Sequence, residues 1–454
     1  MVREHSQELL KQQGAPAGVA GASLQSLIDG AGVHALQLRV LVLCALVTFV
    51  EGIDLTLIPL LAPRITDSWK LQSTELGSIF SIAAFGLIFG GLGVGWLADR
   101  IGRRGALLAA MVLMTGATLA TAWVDTRDQL LVCRLLAGVA FGGVVPAAVA
   151  LVSEYLPQRI RSSIVALVIL GQAAGALVAG LLLKLPFADG KPWQSLVLYT
   201  GISCGTVLII VFALLPESPR YLGLRNPRSA RLAAILRAVG IDAGKVSFEP
   251  EPPAKRWRLV ELWVPGRAYG TALLWATFIG VGWPLSFFTN WLTKMSTQAG
   301  YDGVDAMNCY SAGAIVGGLL LPLCSRRWHH DKVLLATLVL AAVATVVLGL
   351  TLGVAVPAHL VISFLCGVFV SGAFFLLYPP AVRFYSTDIR ATGVGAAVAF
   401  GRVGNTFSPK VAGVMLTAGL APQSVFWTMA APLLLSCVAV YLFHRLTVPR
   451  QPQR

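Results

Sequence analysis

Charge is what this chain has least of. Asp, Glu, Lys and Arg make up 12% of its 454 residues, about half the share found in soluble domains. With 56% hydrophobic residues and a mean hydropathy of +0.75, a soluble globular fold is excluded. Acidic residues are scarcest, 21 against 35 basic ones. A net charge of +14 in a soluble chain points to nucleic acid, but here the basic residues lie in loops between apolar runs, so no nucleic-acid partner is expected. The seven cysteines stand singly, mostly inside apolar segments; that spacing excludes a disulfide framework and a metal site, and leaves them as small packing residues. No P-loop, H-E-x-x-H or Cys/His cluster occurs, so the chain reads as a non-enzyme with no cofactor. The first 35 or so residues lack the basic start, short apolar core and cleavage site of a signal peptide.

What is present is long apolar runs. Hydropathy and helix breakers predict twelve spans, at about 39–61, 75–98, 105–124, 129–153, 163–185, 194–215, 267–292, 306–324, 333–354, 357–382, 390–416 and 422–445. Each suffices for a bilayer core of roughly 30 Å. The fold class expected is therefore an all-α membrane protein of two pseudo-symmetric six-helix bundles. Its parts are a polar, poorly ordered tail (1–38), a first bundle (39–215), a basic central loop (216–266) with an amphipathic helix near 227–239, a second bundle (267–446) and a short tail (447–454). Alternate loops hold most of the basic residues, among them Arg100, Arg103, Arg104, Arg159, Arg161, Arg326, Arg327 and Arg390. That excess places both termini in the cytoplasm.

Against this apolar background two carboxylates stand out in the first span, Glu51 and Asp54 of Val47–Leu61. Spaced i,i+3, they share one helix side about 5 Å apart in depth. A carboxylate at bilayer depth costs roughly 2.5–3.5 kcal/mol on insertion scales, so it is rarely there without a function. Counting from the loops sets the depths of their counterparts. Glu51 lies twelve residues beyond Arg39, and Arg402 twelve beyond Arg390 on the same side, each about 18 Å deep. Arg134, in span four, approaches the level of Asp54 from the other face, and Gln172 falls near the middle of span five. Trp275, Trp283, Phe287 and Phe374 are aromatic candidates for stacking on a ring, while Lys410 and Asn290 fall near the outer mouth.

Gly95-Trp-Leu-Ala-Asp99-Arg100-Ile-Gly102-Arg103-Arg104-Gly105, between spans two and three, resembles the G-x-L-x-D-R-x-G-R-R loop of the major facilitator superfamily. Glu51-Gly-Ile-Asp54, Arg134 to Pro146 with Glu154 to Arg161, and Arg390 to Pro409 resemble elements of the aromatic acid:proton symporters, with Glu51 where those usually carry aspartate. Pro216-Glu-Ser-Pro-Arg220-Tyr-Leu is shared with sugar and organic-ion porters. The equivalent second-half loop, Leu321 to Asp331, lacks the aspartate before its arginines, and its His329 and His330 read as solvated bystanders.

The resemblance implies a proton-coupled importer of a small aromatic carboxylate, benzoate or hydroxybenzoate, in the inner membrane. It would work as a monomer in the lipid bilayer, driven by the proton gradient. Expected roles are proton coupling at Glu51 and Asp54, substrate binding at Arg402, Arg134 and Gln172, and a cytoplasmic latch of Gly95, Asp99, Arg100, Gly102, Arg103, Glu154 and Arg390. The alternatives are a porter for another small organic anion and a proton-driven exporter.

Overall fold

Long apolar segments with internal glycines, and polar breakers between them, give helices that satisfy their own backbone, the condition for crossing lipid. A computed structural model describes residues 22–30, 32–241, 246–247, 259–386 and 388–447. Eleven of its helices are long and apolar enough to cross a membrane: Ala35–Trp69, Ser73–Ile101, Arg103–Thr121, Arg127–Tyr155, Gln158–Leu183, Trp193–Leu214, Ala268–Gln298, Gly303–Arg327, His330–Leu350, Val356–Phe384 and Pro422–Leu446. Arg390–Thr417, 28 residues long, takes the eleventh place in the order and carries Arg402 and Lys410. The protein is thus a multi-pass membrane protein with six spans on either side of the central interval.

Several helix starts are set locally. Thr126 accepts from the Gln129 amide in a capping box, and Asp302 accepts from the amides of Val304 and Asp305. Both side chains satisfy donors that a helix start leaves free.

Packing within each bundle depends on glycine, because only bare backbone lets helices in lipid come this close. A Cβ at Gly52 of span one would fall on the Gln172 carbonyl of span five, and one at Gly175 on the Phe49 carbonyl. Gly86 and Gly90 of span two meet span four in the same way, and Gly313 and Gly317 of span eight meet span ten.

The tenth span departs from the uninterrupted helix expected. It runs as α-helix to Cys366, loosens into a π-turn over Gly367–Ser371, recovers for Gly372–Leu376 and restarts at Tyr378. Pro379 and Pro380 supply no backbone donor there, so the ladder breaks, and π-turns recur at functional sites.

The tail also differs from expectation. Leu24–Gly30 is helical, and Ile28 packs against Leu232, Leu236, Val239 and Ile241. The last set belongs to and follows helix Ala230–Ala238, the amphipathic segment anticipated in the loop. Asp29 accepts the Gln158 amide at 2.7 Å, and this bond with that from Gln25 holds its carboxyl below the ordinary value. Ala22–Ser23 pairs in parallel with Val246–Ser247. The expected disorder of residues 1–21, the final tail from 448, and the loop cations Lys245, Lys255, Arg256 and Arg258 lie outside the described residues.

The two bundles touch over one half of their length. On the outer side, away from the loop between spans two and three, Thr74 donates to Thr417 at 2.7 Å and Lys410 to Ser78. Gly77 meets Pro409, and Gly180 meets Asn308. Lys184 pairs with both Asp302 and Asp305. Deeper, contact between spans two and eleven reaches Gly91 and Arg402; past them Gly93, Gly95 and Gly395 face open space. The interface is closed on that side and parted on the side of the loop between spans two and three.

Candidate functional site

Where the bundles part, the buried charges gather. Glu51 and Asp54 are both buried, one turn apart on span one. Gly52 between them lies flat against span five, and that contact sets the rotation of the helix. Asp54 turns into its own bundle, where it accepts from the Thr118 hydroxyl and lies 3.9 Å from the Arg134 guanidinium. Arg134 is 2% exposed, and its Nε and second Nη have no hydrogen-bond partner. The pair is therefore close but not interlocked: a full charge-assisted bond is shorter, about 2.7–2.9 Å.

Glu51 is different. Among the described residues neither carboxylate oxygen has a hydrogen-bond partner, although the residue is wholly buried. The charges that act on it are Asp54 from its own helix and Arg402 from the opposite bundle. A buried carboxylate without donors is costly, whereas a protonated carboxyl carries no charge to desolvate. Arg402 donates to the Leu87 carbonyl of span two, and its guanidinium occupies the space a side chain at Gly91 would need. Tyr378, at the restart of span ten, is a further neighbour of that guanidinium and packs edge-on against Phe278 and Phe374.

The expected residues thus separate. Glu51 and Arg402 act on each other electrostatically from opposite bundles, while Asp54 and Arg134 sit together inside the first bundle. The part of Gln172 in contact with span one is its backbone, against Gly52. Trp275 stacks on Phe400 with ring centroids 3.7 Å apart, and Phe287 is core, packed on Phe288 and Phe426. Tyr378, Thr118, Leu87 and Gly91 had no signal of their own in the sequence. Gly91 is one of several glycines between Gly86 and Gly95, and only the approach of Arg402 distinguishes it.

The latch is smaller than anticipated, and its partners differ. Arg103 bridges Asp99 at 3.2 Å and Glu154 at 3.0 Å, and Ser218 completes Glu154. Gly102 holds a φ of 91°, a turn that L side chains avoid. Glu217 accepts the Arg104 amide at 2.9 Å, so the Pro216–Leu222 motif caps span three, a role the sequence reading did not assign. Arg100 lies over Trp96, 4.0 Å from its ring centroid, instead of against Glu154. Gly95 faces open space. The Nε of Arg390 reaches the Tyr385 carbonyl within its own half, and among the described residues no ion pair within 4.0 Å joins Arg390 to the Arg103 cluster. His330 contacts the Leu376 carbonyl at 2.9 Å, so it is not merely solvated.

The spacing Gly201-Ile-Ser203-Cys-Gly205 matches a hydrolase nucleophile elbow, but it lies within helix Trp193–Leu214. Ser203 there donates to the Thr200 carbonyl at 2.7 Å. An elbow needs a strand-to-helix turn, which this is not.

A family model described as Major Facilitator Superfamily matches residues 44–409 and 306–454. The chain belongs to the major facilitator superfamily. It is a transporter, not an enzyme. It is 32% identical over 431 residues to the 4-hydroxybenzoate transporter PcaK of Pseudomonas putida, covering 92% of this chain and 94% of that one. It is 26% identical to a benzoate transport protein of Acinetobacter baylyi, over 93% and 92% of the two chains. Among solved structures, the xylose transporter XylE from E. coli in a partially occluded inward-open conformation superposes with a TM-score of 0.72. That likeness, at 16% identity over 92% of this chain and all of XylE, establishes the fold.

Proposed function

We propose that this major facilitator transporter imports a small aromatic carboxylate, of the benzoate or hydroxybenzoate type, together with protons. It would do so across the inner membrane, with both termini in the cytoplasm. The observation that carries the reading is the pair of Glu51 and Arg402 at the apex of the parted interface. One is a buried carboxyl without a hydrogen-bond donor; the other is a guanidinium that has only a carbonyl of the opposite bundle as its hydrogen-bond partner among the described residues. The relatives named as transporters of 4-hydroxybenzoate and benzoate support the substrate class.

In this mechanism Arg402 exchanges the Leu87 carbonyl for the substrate carboxylate, which matches its planar fork. The aromatic edge of Tyr378 and Phe374 borders the same place and receives the ring. Glu51 holds a proton while the site is loaded, and Asp54 exchanges its proton as Arg134 draws nearer or withdraws. Substrate cancels the Arg402 charge, a proton cancels Glu51, and ionised Asp54 balances Arg134, so the loaded carrier reorients without an uncompensated charge in low dielectric. The proton gradient drives the cycle and no cofactor enters it. The protein works as a single copy.

The test is uptake of labelled 4-hydroxybenzoate into proteoliposomes under an imposed inward proton gradient. Accumulation that collapses on adding an uncoupler is expected. Competition by a sugar or an organic cation, with none by benzoates, overturns the substrate class. Accumulation only under an outward-directed gradient of opposite sense makes the protein an exporter.

A further inference from the structure

The closed outer half of the interface holds two basic groups that the mechanism above does not use. Lys294, near the outer end of span seven, is 3% exposed. Among the described residues it has no ion pair within 4.0 Å; its ammonium lies over the Trp291 ring, 5.7 Å from the centroid. The acid that acts on it, Asp67, belongs to span one of the opposite bundle. Lys410 of span eleven donates to Ser78 and, at 3.4 Å, to the Thr74 carbonyl, again across the interface and again, among the described residues, with no ion pair within 4.0 Å. The two lysines are linked through Trp291, whose indole N–H donates to the Pro409 carbonyl at 3.1 Å. Trp291 itself is covered by Phe80 of span two, edge-on with centroids 5.7 Å apart. By contrast, Lys184 and Arg127 nearby are each matched by acids, Lys184 by Asp302 and Asp305 and Arg127 by Glu75.

A buried ammonium in a membrane protein is expensive and marks a pathway more often than a packing site. The acid nearest Lys294 and the hydrogen-bond acceptors of Lys410 come from the first bundle. When the outer halves separate, as alternation between two bundles requires, Lys294 loses Asp67, Lys410 loses Ser78 and Thr74, and Trp291 loses Phe80. Two cations and an aromatic face then stand uncovered on one wall of the outer opening, with Asp302 and Asp305, released from Lys184, at the start of span eight.

We propose that Lys294 and Lys410, with Trp291 between them, form an outer capture site for an aromatic carboxylate on its way to Arg402. The ammonium groups take the carboxylate and the indole takes the ring. The site exists only while the outer side is open, and closure displaces the ligand inward by returning Asp67, Ser78 and Phe80 to their places. The inference rests on the transport reading above.

The test compares initial rates in the two directions with labelled 4-hydroxybenzoate in oriented proteoliposomes. Lys294→Gln and Lys410→Gln are each expected to raise the KM for uptake by about tenfold or more, the worth of one charge-assisted contact. The double variant is expected to raise it further, while the KM for efflux stays at the wild-type value. Lys→Arg at either position restores uptake, since the charge is kept. A second measurement needs no variant: salt added outside raises the wild-type uptake KM and leaves the efflux KM unchanged. An unaltered uptake KM in the double variant, an equal change in both directions, or a salt effect absent from the outer side overturns the capture site. A wild-type protein that carries no aromatic acid removes the transport reading and this site together; wild-type transport with indifferent lysines removes the site alone.

Discussion

At the scale of single residues, two acids three positions apart have been given different surroundings. Asp54 has a hydroxyl donor and a guanidinium at 3.9 Å; Glu51 has neither. Asp54→Asn removes the titratable group and keeps the volume and the Thr118 bond. Accumulation against a gradient is expected to disappear in that variant while exchange of labelled for unlabelled substrate continues. Concentrative uptake retained at the wild-type level excludes Asp54 from coupling. Arg402→Lys keeps the charge but loses the fork, with an expected loss of about 2 kcal/mol in substrate affinity, the scale of a hydrogen bond to a charged group. A thermal-shift titration with benzoates reads that change directly. The level of Glu51 and Arg402 was legible by counting from Arg39 and Arg390, since helical rise converts residues into depth. Their azimuth was not, because it depends on which backbone lies against Gly52.

Helices and their contacts carry the next set of consequences. Gly52 and Gly91 are both glycines in apolar spans, yet their substitutions are expected to part. A Cβ at Gly52 meets the backbone carbonyl of Gln172, which cannot move without shifting span five. Gly52→Ala should therefore lower thermal stability, by about 1–3 kcal/mol as for other overpacked contacts. At Gly91 the Cβ meets the free end of the Arg402 side chain, which swings aside, so Gly91→Ala should keep the melting temperature and weaken substrate binding. Melting curves and binding measured on the two variants separate these outcomes.

The outer clasp of Lys184 with Asp302 and Asp305 belongs to this scale too. Burial works against the charge at Lys184, but bonds from both aspartates outweigh it and hold the ammonium above its ordinary value. Burial likewise opposes ionisation of Asp302, and the Lys184 bond with the Asp305 and Val304 amides outweighs it, placing that carboxyl below its ordinary value. The stability Asp302 contributes is therefore present above its unfolded pKa and is lost as pH falls through the depressed one. The contribution of Lys184 is lost only as pH rises through its raised value. Neutral pH lies between these limits, so moderate external acidification leaves the clasp closed. Salt is expected to loosen it, because both partners are partly exposed and screened. The hydrogen-exchange protection factors at the outer ends of spans five and eight, corrected for the intrinsic pH dependence of amide exchange, should fall with ionic strength and stay flat between about pH 6 and 8; a steep pH dependence of protection there contradicts this assignment.

For the molecule as a whole, the two bundles are joined by a closed outer half and an open inner one, and the inner face carries the Asp99–Arg103–Glu154 cluster with Glu217 capping span three. Those groups lie within the first bundle and hold spans two, three, four and the segment after span six together as one body. Arg103→Gln is expected to slow transport severalfold at saturating substrate while leaving the affinity at Arg402 unchanged, since it loosens the moving body and not the site. A shift in substrate affinity equal to the loss of rate contradicts that division. The helix at Leu24–Gly30 and its partner Ala230–Ala238 add a cytoplasmic support to the same bundle in the orientation proposed here.

Composition and periodicity alone determined that the chain is an α-helical membrane protein, how many times it crosses, where the halves divide, and which charges are buried at equal depth. These follow from length, hydropathy and helical rise, which are properties of segments taken one at a time. Only the tertiary structure decided that Asp54 turns to Thr118 and Arg134 while Glu51 comes under the charge of Arg402, that Tyr378 joins them, that Arg390 leaves the latch and Glu217 enters it, and that Lys294 and Lys410 share a wall. Each of those depends on the rotation of one helix against another. That rotation is set by where glycines admit a neighbouring backbone, a contact between residues about fifty or more positions apart that no local pattern records.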